Sequence, residues 1–160
     1  MELDKSKTVA FTGHRSFKMK GQSQEALYQA TFNNVLSLCD QGYDTFLTGM
    51  AEGFDMLAAL TVLTIQIEYK HISLIAVVPF VGQENGFLID DKAVYETILD
   101  KVSQKVIISD HYQVGVYHRR NDFLIDNSSV LIACYNGSPR GTKYTFERAR
   151  RQGHKIINLL

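Results

Sequence analysis

Two glycine-bearing segments of this 160-residue chain have the composition of anion-binding loops: TGMAEGFD at residues 48–55 and YNGSPRGT at residues 135–142. In the first, Gly49 and Gly53 remove side chains where a ligand would approach the backbone around Met50 and Ala51. In the second, Tyr135 leads into Gly137, Arg140, Gly141 and Thr142, and Lys143 adds charge just beyond. Each segment runs into helix-forming sequence. The first turn of a helix offers unpaired N–H groups and a partial positive charge, a combination that favours phosphate. The spacing is not GxGxxG and no P-loop lysine is present, so the chemistry indicated is anion binding in general. Asp55, in the first helical turn, is either a ligand contact or a complement to the helix dipole.

Two cationic groups accompany these loops. Gly13, His14 and Arg15 directly follow a strand-like run, and Arg15 has the fork geometry to pair bidentately with a phosphate. His14 is either a ligand contact or a hydrogen-bonded structural histidine. YHRRND, residues 117–122, opens a helix, and its adjacent arginines project about 100° apart, so that one can face the strand ends and the other solvent. The five histidines are scattered, without HxxxH or HExxH, and neither GxSxG nor a Cys–His pairing occurs. No metal site, cofactor or covalent nucleophile is therefore identified.

The elements that must position these residues alternate. Strands are expected at 8–12, 45–48, 73–78 (stopped by Pro79), 105–109, 129–135 and 155–159, with helices at 22–41, 53–69, 92–101, 117–126 and 142–152. That order implies an α/β fold: a doubly wound, mostly parallel sheet of about six strands in three layers, with helices on both faces. Ligands of such sheets bind outside the carboxyl ends of the strands, where 12–15, 48–55, Pro79-Phe80 and 135–142 all fall. The 53–69 helix carries two apolar stripes, one from Phe54 to Ile65 and one of Met56, Leu60, Leu63 and Ile67. It is expected to pack on two neighbours, one of them a second copy in a homodimer or larger assembly.

Hydrophobic residues make up 45% and charged residues 21%, the composition of one globular domain spanning 1–160. Seventeen cations balance seventeen carboxylates, which argues against a protein that coats nucleic acid and leaves nucleic acid the less favoured partner. Cys39 and Cys134 read as buried thiols of a reducing compartment. The first residues do not form a signal peptide, and the apolar stretch 54–67 is too short for a bilayer, so a cytoplasmic protein without a membrane partner is expected.

Together the loops resemble the SLOG superfamily of Rossmann-like domains over nearly the whole chain, most closely its YpsA-like branch. The matching segments are TGHR at 12–15, TGMAEGFD at 48–55 and PFVGQ at 79–83. The resemblance implies a three-layer Rossmann-like fold and a nucleotide or nucleotide-derived ligand. The related DprA proteins share the order of the 48–55 loop, the Arg120-Asn121 pair and the GTKYT segment from Gly141 to Thr145. The LOG phosphoribohydrolases share part of 117–121, but their catalytic Glu falls at Thr145 here. Glu147 stands about 200° around a helix from that position.

Three readings follow. The first is a sensor or regulatory domain that binds a nucleotide-type phosphate ligand without turnover. Gly49, Gly53, Gly141 and Thr142 would shape its anion sites, Arg15, Arg120 and Lys143 would neutralise charge, and Tyr135, Phe80 or His14 would flank a base. The second is a LOG-like N-glycosidase acting on nucleoside monophosphates. It needs a carboxylate, with Glu52, Asp55 and Asp122 as candidates, because such cleavage passes through an oxocarbenium-like centre. The third is a DprA-like module that binds single-stranded nucleic acid or another macromolecule.

Overall fold

A computed structural model describes residues 3–15 and 23–160. Six strands, β1 (Thr8–Gly13), β2 (Thr45–Thr48), β3 (Ser73–Phe80), β4 (Gln104–Ser109), β5 (Val130–Cys134) and β6 (Lys155–Asn158), form one sheet in the order β4-β3-β2-β1-β5-β6. Every pairing is parallel. The connecting helices are α1 (Gln24–Asp40), α2 (Phe54–Gln66), α3 (Ile89–Lys101), α4 (Val116–Asp126) and α5 (Gly141–Arg151).

The strands read as near-continuous apolar runs because both faces are covered. Val9, Phe11, Leu74, Ala76, Val78, Val130 and Ile132 pack with α1, α2 and α3. Their neighbours Ala10, Ile75, Val77, Leu131 and Ala133 pack with α4 and α5. The chain winds outward from β1 to β4 and returns to β5 on the other side of β1. The carboxyl ends of β1 and β5 therefore flank the point where the winding reverses, the usual crevice for a ligand.

Several boundaries differ from the sequence reading. Strand β3 continues through Pro79 to Phe80, because the Val81 N–H donates to the Ser109 carbonyl (3.3 Å) and proline removes only its own donor. Helix α3 starts at Ile89, three residues early, with Asp90 and Asp91 in its first turn. Strand β5 stops at Cys134, leaving Tyr135 in the following loop. Gln22, expected to open α1, lies outside the described residues. The second stripe of α2 is half met within the chain: α2 lies between α1 and α3, Met56 is buried and Leu63 packs on the core, while Leu60 and Ile67 stay exposed. The expected assembly thus finds only two free apolar side chains on that face.

Helix α2 begins at Gly53, whose φ of +86° suits only glycine without strain. A Cβ there would lie 2.5 Å from the Arg15 carbonyl carbon and 2.6 Å from the His14 carbonyl oxygen. The Phe54 N–H donates to that same His14 oxygen (3.2 Å), so the end of β1 lies directly on the start of α2. Gly53→Ala is expected to destabilise the fold by roughly 2–4 kcal/mol, through positive φ and a backbone clash together. Gly137→Ala, at a φ of +92° with open space around it, should cost only about 1–2 kcal/mol. Thermal unfolding followed by circular dichroism compares the two.

Candidate functional site

A cavity of about 580 Å³ opens at the carboxyl ends of β1 and β5. The first glycine segment contributes Ala51 and Asp55 to its wall, and the second contributes Ser138, Arg140, Gly141 and Thr142. The end of β1 adds Gly13, His14 and Arg15, and α4 adds Tyr117, Arg120 and Asn121.

The two segments behave differently. In the first, three amides are engaged within the protein: Met50 N–H donates to Thr48 Oγ1 (3.3 Å), Ala51 N–H to Asp55 Oδ2 (3.2 Å) and Phe54 N–H to His14 O (3.2 Å). Gly49 leaves room for a protein side chain: a Cβ there would lie 2.8 Å from Arg120 Nη1, which donates to the Gly49 carbonyl. Met50 turns into the left-handed region (φ 60°) with its side chain fully buried. In the second segment, the Tyr144 N–H makes the first helical bond, to Arg140 O, and the amides of Gly141, Thr142 and Lys143 have no partner among the described residues. This is the open anion-binding end of a helix.

Arg120 is buried. Its Nε donates to Asn121 Oδ1 (2.7 Å), and its guanidinium lies 5.8 Å from the centre of the Tyr117 ring. Burial pulls its pKa down and the charge of Asp55 holds it up; the group stays cationic. Arg15 sits on the same Tyr117 ring at 5.4 Å, on the exposed side. Asp55 is 5% exposed and its Oδ1 has no hydrogen-bond partner among the described residues. Burial pushes its pKa up to about 6, against the opposing pull of Arg120 and the Ala51 N–H. His14 Nε2 accepts from the Asn136 N–H (3.0 Å), and burial lowers the His14 pKa, so a neutral imidazole pins the second loop to β1.

Other residues named from sequence stand elsewhere. Thr145 is fully buried and its hydroxyl donates to the Gly141 carbonyl (3.1 Å), so it faces no ligand. Pro79 is buried within β3, and Phe80 packs edge-on against Tyr112 and Tyr117 behind the cavity wall. Tyr135 rests on Phe146 (4.8 Å between ring centres), while Gly137 and Lys143 are exposed beside the mouth and line no part of it. Glu52 accepts from the Leu88 N–H (3.2 Å), where it caps α3, and Asp122 accepts from the Tyr144 hydroxyl (2.7 Å) and pairs with Arg148. Asp55 is thus the only carboxylate among the described lining residues. Arg140, expected in the anion-binding loop, lines the cavity; Tyr117 and Ser138 are lining residues that the sequence reading does not single out, and the Tyr117–Arg120 spacing of one helical turn is the available signal. Among the described residues no cluster of three or more His, Cys, Asp or Glu is placed to hold a metal, and no helix is long and apolar enough to cross a membrane.

The family model YpsA (YspA SLOG family) matches residues 9–157. UPF0398 proteins of Bacillus thuringiensis strain Al Hakam and Bacillus cereus strain AH187 are each 26% identical over 155 residues, covering 92% of this chain and 84% of theirs. The fold is similar to DNA processing protein A (DprA) from Streptococcus pneumoniae, with a TM-score of 0.65 at 19% identity, over 95% of this chain and 50% of that one. DprA from Helicobacter pylori, described for its binding of single-stranded DNA, has a TM-score of 0.61 at 19% identity, over 93% and 63%. The chain therefore spans only half to two-thirds of these DprA structures. A structural-genomics target, TM1055, has a TM-score of 0.58 at 18% identity, over 94% and 72%.

The raised Asp55 pKa has a consequence for stability. The carboxyl holds its proton up to about pH 6 when folded, against an ordinary value of 3.8. Between those values the folded state binds the extra proton, so the Asp55 contribution to stability falls as pH rises through that window and is level above it. Asp55→Asn removes this slope. Its stability relative to the wild type is expected to rise by on the order of 3 kcal/mol from about pH 4 to about pH 7, measured by urea denaturation at both ends.

Proposed function

We propose, from the premise that the chain belongs to the YpsA SLOG family, that it binds a nucleotide or nucleotide-derived phosphate ligand in the cavity between β1 and β5, as a sensor or regulatory domain. The observation that carries this reading is the convergence of Arg15, Arg120 and Arg140, around one cavity, with α5 amides that have no partner among the described residues. The phosphate sits at the α5 N-terminus beside Arg140. Tyr117 and Arg15 flank the base or ribose, and the bare Asp55 Oδ1 accepts a hydroxyl or amino donor. The cavity is built within one chain, so binding does not require a homodimer. The two free buried thiols, Cys39 and Cys134, suit a cytoplasmic setting.

Turnover by N-glycosidase chemistry has less support. Thr145 and Glu52 are engaged elsewhere, and Asp55, the remaining carboxylate of the cavity, is drawn toward its protonated form. Contact with a single-stranded nucleic acid has one specific observation in its favour, the segregation of charge. Residues 140–155 carry six lysines and arginines against one carboxylate, whereas residues 23–69 carry six carboxylates and no lysine or arginine.

Calorimetry against AMP, ADP-ribose, NAD and a short oligonucleotide separates these readings. The expected result is binding of a mononucleotide-type ligand. Arg140→Ala or Arg15→Ala should weaken it roughly 10- to 100-fold, the loss of one charge-assisted contact, with the melting temperature unchanged. No free base should appear on prolonged incubation. Binding of the oligonucleotide alone, with a steep loss of affinity on added salt, would favour the nucleic-acid reading instead.

A further inference from the structure

A carboxylate stands on the wall of a cavity otherwise furnished for anions. Arg15, Arg120 and Arg140 line that cavity, and Asp55 shares the wall with them. A compact space of about 580 Å³ is roughly 10 Å across, about one Debye length at physiological salt, so each wall charge acts on whatever enters. Only Oδ2 of Asp55 is engaged, by the Ala51 N–H (3.2 Å), and Oδ1 is buried with no partner among the described residues. None of the ion pairs among the described residues includes Asp55. Its charge is therefore not cancelled by a contact, and it weakens the site for anions in general.

The size of that effect depends on what enters. A bare anion such as sulfate or inorganic phosphate meets the α5 amides and the arginines favourably, but it meets ionised Asp55 as like charge with nothing to offset the repulsion. A ligand that carries an N–H or O–H donor beside its anionic group meets the same carboxylate as an acceptor. A charge-assisted hydrogen bond then compensates. Binding sites discriminate by such repulsive elements as well as by attractive ones.

We infer that Asp55 is the specificity-determining residue of this cavity: ionised, it excludes bare inorganic anions from the α5 end and admits anions that bring a hydrogen-bond donor to Oδ1. This role deepens the proposed function and rests on its placement of the anion at α5. Protonation of Asp55 removes the exclusion, so the site opens to bare anions in acid. The surrounding charges fix that sign. Arg120 from α4 and Arg15 from the end of β1 act on Asp55, Arg140 lines the same cavity, and arginine is not deprotonated in proteins. Tyr117 and His14 are the other titratable groups on the described wall, and His14 gains charge in acid, which also favours an anion. Glu52, in the adjoining loop, accepts from the Leu88 N–H at the start of α3. These groups are common to the wild type and Asp55→Asn, so the difference between the two proteins belongs to residue 55.

Sulfate is the probe, because it does not titrate at the pH values used, and the Gly141 and Thr142 amide shifts report its binding by NMR. Asp55, with its pKa raised to about 6, is mostly ionised at about pH 7.5 and mostly protonated at about pH 5. Wild-type affinity for sulfate should therefore rise roughly tenfold between these values. Asp55→Asn, its fold checked by circular dichroism, should bind sulfate at the higher pH about as tightly as the wild type does at the lower. Its preference for AMP over sulfate should narrow by roughly tenfold. Equal sulfate affinity of the two proteins at the higher pH, a wild-type slope no steeper than that of the variant, or sulfate that moves neither amide in either protein would each overturn the inference. So would a wild-type change below roughly threefold, a measurement that needs no variant. If AMP, ADP-ribose and NAD all fail to bind while sulfate shows the expected contrast, the nucleotide reading falls and the exclusion of bare anions by Asp55 stands.

Discussion

The carboxyl edge of this sheet is organised around one buried cation. Arg120 is 5% exposed, and removing a guanidinium from water costs several kcal/mol unless its donors are matched and its charge is compensated. Three neighbours supply that match: the Gly49 carbonyl, the Asn121 amide oxygen and the Tyr117 ring, with the field of Asp55 beyond them. Each places a demand on the sequence. Residue 49 can have no side chain, since a Cβ would collide with the guanidinium. Met50 is driven into the left-handed region to send its own side chain into the core. Asp55 is held at the first turn of α2 by the Ala51 N–H, with one oxygen left bare. The cation is therefore fixed before any ligand arrives, and a preorganised charge loses little freedom on binding.

The two glycine loops look alike in sequence and do opposite things. The first is a brace: its glycines admit the protein's own atoms, Arg120 above Gly49 and the His14–Arg15 backbone above Gly53. The second is a presenter. Its attachment to β1 runs through the His14 imidazole and the Asn136 amide, and this leaves the α5 amides turned outward. What separates them is their surroundings, a buried arginine and a crossing strand end in one case and open space in the other. Local sequence does not encode that difference.

Much of the architecture was legible because it rests on alternation. Continuous apolar runs such as β3 and β5 separated by amphipathic helices leave little choice but a covered parallel sheet, and the ends of its strands locate the cavity. Placement of Asp55, Arg15, Arg120 and Gly141 on the wall followed from that geometry. Individual side chains were less legible where tertiary contacts decide. Thr145 sits one turn after Gly141 and bonds back to its carbonyl, so proximity in sequence to the loop put it under the helix. Phe80 was drawn behind the wall by Tyr112 and Tyr117, and Tyr117 took the place at the cavity that Phe80 or Tyr135 had been expected to hold. The second stripe of α2 pointed to another chain because α3 carries too weak an apolar pattern to announce itself as the neighbour.

The cavity is polar in an asymmetric way, and this bears on how a ligand would lie in it. At one side stand the α5 amides and Arg140, which offer only donors and positive charge. The same cavity is lined by Asp55, whose Oδ1 accepts when ionised and donates when protonated. A phosphate next to Asp55 would raise the carboxyl pKa further, and by reciprocity a carboxylate there would weaken phosphate binding. A phosphate at the α5 end with a hydroxyl or amino group at Asp55 satisfies both ends at once. On the proposed reading, the molecules that fit carry both an anionic group and a hydrogen-bond donor. Inorganic phosphate alone would leave the buried Asp55 oxygen without a partner.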